Sequence, residues 1–482
     1  MQRRFLTPGN AFAGAFFALV AIAALGTRFI RLGRKSIWLD EAWSWRSAKI
    51  PLRAMLDATA GDNHPPLYYA ILHFVVNIAG DAEVALRAPS AIAGAATIVL
   101  LAFVAWRAGG IVLAAIAATL LTLNAAFLGI SQEARMYPLV ALIALAASAV
   151  LGEYLARPSR ALIALYAGLA ICLIYTDYSG FIVLAIHAAL LAGYGVIRLR
   201  RDRRADVLVD GAVAFGVVAL AFLPWLREFI EQLRKGAPLA EPNTELVRDV
   251  FRFALGLESS GVLWLPLALI LLCAGAYVVA RRIRDPRVVV IAALALVPLG
   301  QLIISFAVTP VFALRQVAPF IPALMFVSAL GIDELRRLVM RNSAYASAAV
   351  PALSIVTTLV AAVMAIGLVD QYRARSLEDW RGAAKEARAT GDTTYIWRRY
   401  TDLAVTYYLR PPADLRRLAS SDAASVDAEF ARPGSTGEST LILSHETPLE
   451  AQSVLTAFRK HGTVTASGAA YPGLRLYHFR PR

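Results

Sequence analysis

Residues 131–155 read SQEARMYPLVALIALAASAVLGEYL, a polar and charged stretch that runs directly into an apolar one. About 20 consecutive apolar residues suffice for a helix to cross a bilayer, so 137–155 predicts a membrane span. The chain of 482 residues is 58% hydrophobic and 17% charged, whereas soluble domains are about 45–50% apolar and about 25% charged. This composition excludes an ordinary soluble enzyme, a disordered protein and a disulfide scaffold.

Apolar runs near the same length recur along the chain and predict a polytopic all-α membrane protein with about 11 spans. The runs cover residues 11–27, 84–106, 111–130, 137–155, 160–176, 180–197, 207–226, 261–280, 288–308, 317–334 and 347–369. The shorter apolar run 65–80 predicts a helix that lies at the membrane interface. Cys172 and Cys273 fall in apolar runs and are predicted to be small core residues without a disulfide or metal role.

The distribution of arginine gives the predicted orientation. The net charge of +14 could indicate nucleic acid or the cytoplasmic loops of a membrane protein. Seventeen arginines fall at the N-terminus, at Arg107 and in the connections 157–160, 198–204, 281–287 and 336–341. The alternate short connections hold two, Arg135 and Arg315. The positive-inside rule therefore places the N-terminus in the cytoplasm and, with an odd number of spans, the C-terminal segment outside.

The segment after residue 370 is polar and changes character. Short β-rich pieces (Thr393–Trp397, Thr440–Leu443, Leu474–Phe479) alternate with helical patterns (Leu377–Ala389, Pro448–Lys460). This order predicts a small α/β domain. The predicted domains are a membrane domain at 1–370, which includes an outer loop at 28–83, and a periplasmic α/β domain at 371–482.

The unusual polar residues all fall on the predicted outer face, and ionisable groups at a membrane usually mark a site. Asp40 and Glu41 stand among three tryptophans in the first outer loop, where a carboxylate could act as a general base. The alternative is an acidic helix N-terminus on a wet loop. Adjacent helical residues point about 100° apart, so the two acids are not expected to do the same job.

The basic residues on that face have two interpretations each. Arg135 and Arg315 suit a phosphate, because a guanidinium is planar, permanently charged and bidentate. Either could instead pair with an acid such as Glu133 or extend toward water. His64 could donate to a phosphate oxygen or be an ordinary loop residue, and Asp177 could pair with one of these arginines.

Several kinds of chemistry have no motif in this sequence. We find no metal-ligand spacing, no phosphate-binding glycine loop, no Ser-His-Asp constellation and no basic aromatic patch outside the inner loops. The sequence thus predicts no cofactor and no nucleic-acid partner. Asp40 and Asp62 could together hold a divalent cation, although no motif in the sequence indicates one.

The order of these motifs resembles that of the GT-C membrane glycosyltransferases. They are the Asp-Glu pair at 40–41, His-Pro-Pro-Leu-Tyr-Tyr at 64–69, Arg-Met-Tyr at 135–137 and an arginine before a proline-containing span at 315. The similarity is greatest to bacterial relatives of the protein O-mannosyltransferases and of the lipid A aminoarabinose transferase. It covers residues 5–370, and the segment that follows is similar to the small periplasmic domain of many members.

The resemblance implies a glycosyltransferase of the bacterial inner membrane. Such an enzyme takes a sugar from a polyprenyl phosphate and transfers it to a lipid, glycan or protein on the periplasmic face. Asp40 would be the catalytic base, or align the acceptor, with Glu41 supporting it. His64, Arg135 and Arg315 would stand near the donor phosphate. The supporting residues would be Asp62, Tyr68, Tyr137, Asp177 and Tyr178.

This sequence departs from the family pattern at four positions. His64 stands where the aminoarabinose transferase has the lysine that contacts the donor phosphate. Asn63 stands where the family has an acid directly before that lysine, and Asp62 could take the place of this acid. Asp177 stands where many relatives have His, and Gln316 stands where they have Tyr.

A transporter or flippase of a lipid-linked sugar is the alternative function. That class places charges near the membrane midplane and often contains inverted repeats. Here the charges cluster at one predicted face, which favours the transferase. An outer ligand-binding scaffold would not need Asp40, Arg135 and Arg315 on that same face.

Overall fold

The computed structural model describes residues 8–236, 241–256, 265–341, 358, 360–391, 393–397, 401–409, 414–432 and 437–482. The chain divides into two compact units. The first comprises Met1–Ile30, Pro51–Ile78 and Arg87–Arg373, and the second comprises Arg31–Ile50, Ala79–Leu86 and Ala374–Arg482. Two stretches of the predicted outer loop therefore cluster with the C-terminal segment rather than with the membrane helices. The division into functional domains at residue 370 stays a prediction.

Helices account for nearly all of the first unit. Its helices are α1 (Pro8–Phe29), α3 (Leu52–Ala60), α4 (Leu67–Ala79), α5 (Glu83–Gly109), α6 (Ile111–Leu123), α7 (Ala125–Ser131), α8 (Tyr137–Ala156), α9 (Arg160–Thr176), α10 (Gly180–Asp202), α11 (Asp206–Phe222), α12 (Leu226–Lys235), α13 (Thr244–Ala254), α14 (Leu265–Arg281), α15 (Pro286–Ala293), α16 (Val297–Ala307), α17 (Leu314–Val317), α18 (Ile321–Arg341) and α19 (360–373). Short 3-10 turns join α11 to α12, α15 to α16 and α17 to α18. Helix α2 (Leu39–Lys49) belongs to the second unit.

The helices of membrane-spanning length confirm the polytopic all-α prediction. Within the described residues seven helices are long and apolar enough to cross a bilayer, or eight if the bent pair α6–α7 is one span. The apolar helices Leu67–Ala79, Arg160–Thr176 and Pro266–Arg281 are shorter. Most of the predicted span 347–369 lies outside the described residues, so the count of eleven stays a prediction. The predicted helix at 65–80 is present as α4.

Two span boundaries differ from the sequence prediction. The helical segment that begins at Asp206 continues to Lys235. In its C-terminal part Phe229 packs on Phe181 and Phe222, with ring centroids 5.2 and 5.7 Å apart. The predicted span 111–130 is broken, and its halves α6 and α7 meet at an angle of 65°.

The core of the first unit forms where α8, α9, α10 and α11 pack together. Leu151, Tyr154, Tyr166 and Ala170 are buried at its centre. The prediction that Cys172 and Cys273 are core residues is wrong, since both are exposed free thiols. Apolar residues of a membrane helix can face lipid as readily as the interior, so an apolar run does not by itself indicate burial.

The second unit contains the α/β fold that the sequence predicts. Its elements after residue 374 are α20 (Trp380–Thr390), β1 (Thr393–Trp397), α21 (Asp402–Leu409), β2 (Asp414–Arg417), α22 (Ala423–Phe430), β3 (Ser439–Leu443), α23 (Pro448–His461), β4 (Gly462–Ala466) and β5 (Arg475–Pro481). The five-stranded sheet has the order β2-β1-β3-β5-β4. Strands β2, β1 and β3 are parallel, whereas β5 is antiparallel to both β3 and β4. Helix α2 packs on α21 within this unit.

Candidate functional site

The break between α6 and α7 determines where the loop at 132–136 begins. The side chain of Asn124 accepts a hydrogen bond from the Phe127 N–H at 2.8 Å and so caps α7. Its amide group donates to the carbonyl oxygen of Ala254 at 3.1 Å. Asn124 is fully buried, so both contacts stabilise the turn away from the direction of α6. The loop that carries Arg135 follows α7 directly.

Arg28 contacts the end of α6 at the same break, and it was not among the candidate residues predicted from the sequence. Its guanidinium donates to the carbonyl oxygens of Thr122 at 3.0 Å and Leu121 at 3.2 Å, at the C-terminal end of α6. The side chain of Gln132 in turn donates to the carbonyl oxygens of Arg28 and Ile30, at 3.0 and 2.9 Å. A helix end leaves carbonyls without intrahelical partners, and a cation is favourable there. The available signal was an arginine directly after the apolar run 11–27.

Arg135 lies at the centre of a hydrogen-bonded cluster in the first unit. Its Nη2 lies 3.0 Å from His64 Nε2, and its Nη1 donates to the Tyr69 hydroxyl at 3.3 Å. The Tyr69 hydroxyl donates to Asp62 Oδ2 at 3.5 Å, and His64 Nδ1 lies 3.9 Å from Asp177 Oδ2. The five residues thus form a chain with a carboxylate at each end and a guanidinium between them. We call these residues the Arg135 cluster.

The charge state of His64 follows from its neighbours. A guanidinium can only donate hydrogen bonds, so Nε2 of His64 must accept, and a neutral ring then carries its proton on Nδ1, toward Asp177. Burial and the Arg135 charge hold the pKa of His64 well below its ordinary value. His64 is therefore neutral, with its Nε2 occupied as an acceptor. Burial raises the pKa of Asp177, although its bonds with Ser179 and the Arg135 charge act in the opposite direction.

We expect imidazole nitrogen NMR shifts of labelled protein to show His64 as the neutral Nδ1-protonated tautomer down to about pH 6. A folded-state pKa below the ordinary value means that the unfolded chain binds the proton more readily. The stability associated with neutral His64 is therefore complete above the ordinary pKa of about 6.5 and is lost progressively as pH falls from there toward the lower folded-state pKa. The His64→Gln variant identifies the signal. An imidazolium signal from His64 at neutral pH would contradict the assignment.

Tyr68 and Tyr137 contact Arg135 in different ways from Tyr69. The hydroxyl of Tyr68 lies 2.9 Å from Ser90 Oγ, which donates to the Arg135 carbonyl oxygen at 2.7 Å. The Arg135 guanidinium carbon stands 5.9 Å from the centroid of the Tyr137 ring, within cation–π range. Tyr68 therefore supports the backbone of the loop, and Tyr137 contacts the cation itself.

Tyr178 belongs to a neighbouring contact rather than to the Arg135 cluster. Its hydroxyl accepts from Trp225 Nε1 at 2.9 Å and donates to the side chain of Gln232. Gln232 donates to the carbonyl oxygen of Thr59 at 2.8 Å, which connects α12 with α3. Burial raises the pKa of Tyr178, so its hydroxyl stays protonated.

Arg315 lies on α17 and pairs with Glu133 of the same loop, with its Nε 3.5 Å from Glu133 Oε2. The sequence left pairing with Glu133 open for both Arg135 and Arg315. On one side of Ala134 the loop contacts Arg315 through Glu133. On the other side Arg135 contacts Tyr69 and His64. Both arginines that are predicted to bind phosphate therefore lie at this loop, Arg135 within it and Arg315 in contact with it.

Asp40 and Glu41 occupy the first turn of α2, in the second unit. Glu41 is fully buried, whereas Asp40 is partly exposed. The two adjacent acids therefore differ in exposure, and their separate functions stay a prediction. That Asp40 and Glu41 act at the same site as the Arg135 cluster stays a prediction. Among the described residues no group of three or more His, Cys, Asp or Glu side chains is placed to hold a metal ion.

A polytopic helical unit followed by a small α/β unit defines the class of fold, and comparison with solved structures identifies it as the GT-C fold of an integral membrane protein. A crystal structure of ArnT, the lipid A aminoarabinose transferase, from Cupriavidus metallidurans in the apo state is similar, with 14% identity and a TM-score of 0.59 over 98% of each chain. The same protein bound to undecaprenyl phosphate has 15% identity and a TM-score of 0.60 over 97% of this chain and 98% of that one.

A second protein of similar fold is the archaeal oligosaccharyltransferase AglB from Archaeoglobus fulgidus. Its complex with an inhibitory peptide and a dolichol-phosphate has 10% identity and a TM-score of 0.58, over 95% of this chain and 74% of that one. No family model and no curated protein sequence matches the chain. At these identities the likeness establishes the fold alone.

Proposed function

We propose that this protein is a glycosyltransferase that transfers a sugar from a polyprenyl-phosphate donor to a lipid, glycan or protein acceptor. The proposal places it in the bacterial inner membrane, with the N-terminus in the cytoplasm and the reaction on the periplasmic face. Asp40 is its general base. The observation that carries the proposal is the likeness, over 97% of the chain, to a solved transferase bound to undecaprenyl phosphate.

The Arg135 cluster supports the donor side of this proposal. Sugar transfer breaks the bond between the anomeric carbon and a phosphate oxygen, so negative charge develops on the departing polyprenyl phosphate. Preorganised cations next to that oxygen lower the barrier because they need not reorient during the reaction. Arg135 is held by Tyr69 and His64, and Arg315 stands against the same loop. We assign both arginines to the donor phosphate, with His64 orienting Arg135.

Asp40 supplies the acceptor side. The attacking hydroxyl or amine loses a proton as its bond to the anomeric carbon forms, and a positioned carboxylate can accept that proton. A general base must touch the acceptor, and the partly exposed Asp40 meets this requirement better than the buried Glu41. The proposed step is therefore balanced: the acceptor proton goes to Asp40 and the electron pair of the broken bond goes to the phosphate.

Comparison of cell-envelope lipids, glycans and proteins by mass spectrometry, with and without the protein, tests the function. We expect one sugar modification to disappear when the gene is deleted and to return with the wild-type chain. Purified protein in nanodiscs should then transfer that sugar from a polyprenyl-phosphate donor to the acceptor so identified. The transporter alternative predicts instead that the donor moves across liposomes while no sugar is transferred.

A further inference from the structure

Helix α2, which carries Asp40, begins without a capping side chain of its own. Trp38 occupies the N-cap position and makes no side-chain capping bond. The first N–H groups of a helix need acceptors from elsewhere, and a carboxylate there also interacts favourably with the helix dipole. The Leu39 N–H finds its acceptor far away in the sequence, at Glu378 Oε2, over 3.0 Å.

Glu378 is itself held from two sides. Its Oε2 also accepts from Trp380 Nε1 at 2.6 Å, and its Oε1 lies 2.7 Å from His445 Nε2. The carboxylate is buried, as is the whole Trp380 side chain. His445 adopts a φ of +57°, a conformation that is uncommon outside glycine. Glu378 is therefore a rigid acceptor at the start of α2 rather than a mobile surface acid.

The segment that leads into α2 depends on the same part of the chain. The Ile37 N–H donates to the Tyr408 hydroxyl at 2.8 Å. The Arg381 guanidinium donates to the carbonyl oxygens of Gly33 at 2.9 Å and Lys35 at 3.2 Å. Side chains from the C-terminal segment thus hold the backbone on the N-terminal side of Asp40 at several successive residues.

We propose that Glu378 is a positioning residue for the transfer reaction, which caps α2 and thereby holds Asp40 in its working orientation. The inference rests on the proposed function, in which Asp40 is the base. It gives the C-terminal α/β segment an indirect part in the reaction, because that segment supplies the cap of the helix that carries Asp40. Displacement of a catalytic group by about 1 Å can cost about 100-fold in rate.

The test compares Glu378→Ala with Glu378→Gln in a transfer assay on full-length protein in nanodiscs. Alanine removes the acceptor for the Leu39 N–H, whereas the glutamine carbonyl oxygen can replace it. We expect kcat to fall about 10- to 100-fold in Glu378→Ala with the donor KM unchanged, and to recover largely in Glu378→Gln. Hydrogen exchange of the amides at 38–42 should accelerate only in the alanine variant.

Two further variants keep the inference testable if Glu378→Ala fails to fold. Gly473 has a φ of +68°, and a Cβ there would lie 2.8 Å from the Leu377 carbonyl oxygen and 2.9 Å from Glu378 Cγ. Gly473→Ala should therefore displace the carboxylate without removing it, and lower kcat. Glu386→Gln is the matched control, since Glu386 also contacts a histidine, His478 at 2.9 Å, and accepts from a tyrosine, Tyr471. Within the described part of the chain, neither of these contacts involves α2. Glu386→Gln should keep the wild-type kcat.

The outcomes separate the two proposals. If Asp40→Asn is inactive while Glu378→Ala keeps the wild-type kcat, the positioning role is overturned and the proposed function stands. The positioning role of Glu378 is also overturned if Glu378→Ala and the control Glu386→Gln change KM and kcat to the same extent. If Asp40→Asn is fully active, Asp40 is not the base and the positioning role of Glu378 is overturned with it. If the wild-type protein transfers no sugar from any polyprenyl-phosphate donor, the proposed function itself is overturned.

Discussion

Replacement of Asp40 by Asn is expected to lower the kcat of sugar transfer by about 100- to 10,000-fold, the usual contribution of a general base. Asn keeps the shape of the side chain and cannot take up a proton at neutral pH. Expression, membrane insertion and thermal unfolding should be unchanged, because Asp40 is only partly buried. The measurement is a single-turnover transfer assay with the donor and acceptor identified by mass spectrometry.

Glu41→Gln is the matched comparison, since it makes the same chemical change at the adjacent position of α2. Glu41 is buried, so we expect the larger change in thermal stability and the smaller change in kcat. Wild-type transfer by the Asp40→Asn variant would remove Asp40 from the reaction. A greater loss of kcat in folded Glu41→Gln than in Asp40→Asn would reverse the two roles.

Replacement of Arg135 by Ala is expected to lower the kcat/KM for the donor by about 100- to 1,000-fold, as is typical when a donor to a developing negative charge is removed. The substitution also removes the groups that Tyr69 and His64 contact. Steady-state kinetics with varied donor, and direct binding of an unreactive polyprenyl phosphate, measure the effect. Both donor affinity and kcat should fall.

Arg135→Lys and Arg227→Ala give this experiment its controls. Lysine keeps the positive charge but not the planar fork, so recovery should be partial. Arg227 is exposed on α12 and pairs with Glu231 one helical turn away, at 3.1 Å, so its loss should leave kinetics unchanged. Unaltered donor affinity and kcat in a folded Arg135→Ala variant would exclude the phosphate role.

Much of the fold could be predicted from local pattern. The span at 137–155 is present as Tyr137–Ala156, and the strand at Thr393–Trp397 is present with the same bounds. Length and apolarity suffice to predict such elements, because every residue of the run lies in the same apolar environment, a bilayer for the span and a buried sheet for the strand. Strands β2 and β4 were not predicted. They are short, and β4 is largely exposed, so their composition carries little signal.

The break in the third span could not be predicted, because it depends on partners far away in the sequence. Asn124 caps α7 and donates to Ala254, and Arg28 holds the end of α6. An asparagine in an apolar run is ambiguous until such partners are known. The sequence left Glu133 open as a partner of either arginine, and the contact between Glu133 and Arg315 is seen only in the folded chain.

The residue types, the apolar runs and the excess of arginine in alternate connections were enough to establish a polytopic membrane protein and to select its polar candidates. These properties depend on local composition and on the cost of placing charge in a membrane. The neutrality of His64, the burial of Glu41 beside a partly exposed Asp40, and the cap that Glu378 provides to α2 depend on side chains distant in sequence. Protonation, burial and capping are set by what surrounds a group in space, and only the folded chain brings those surroundings together.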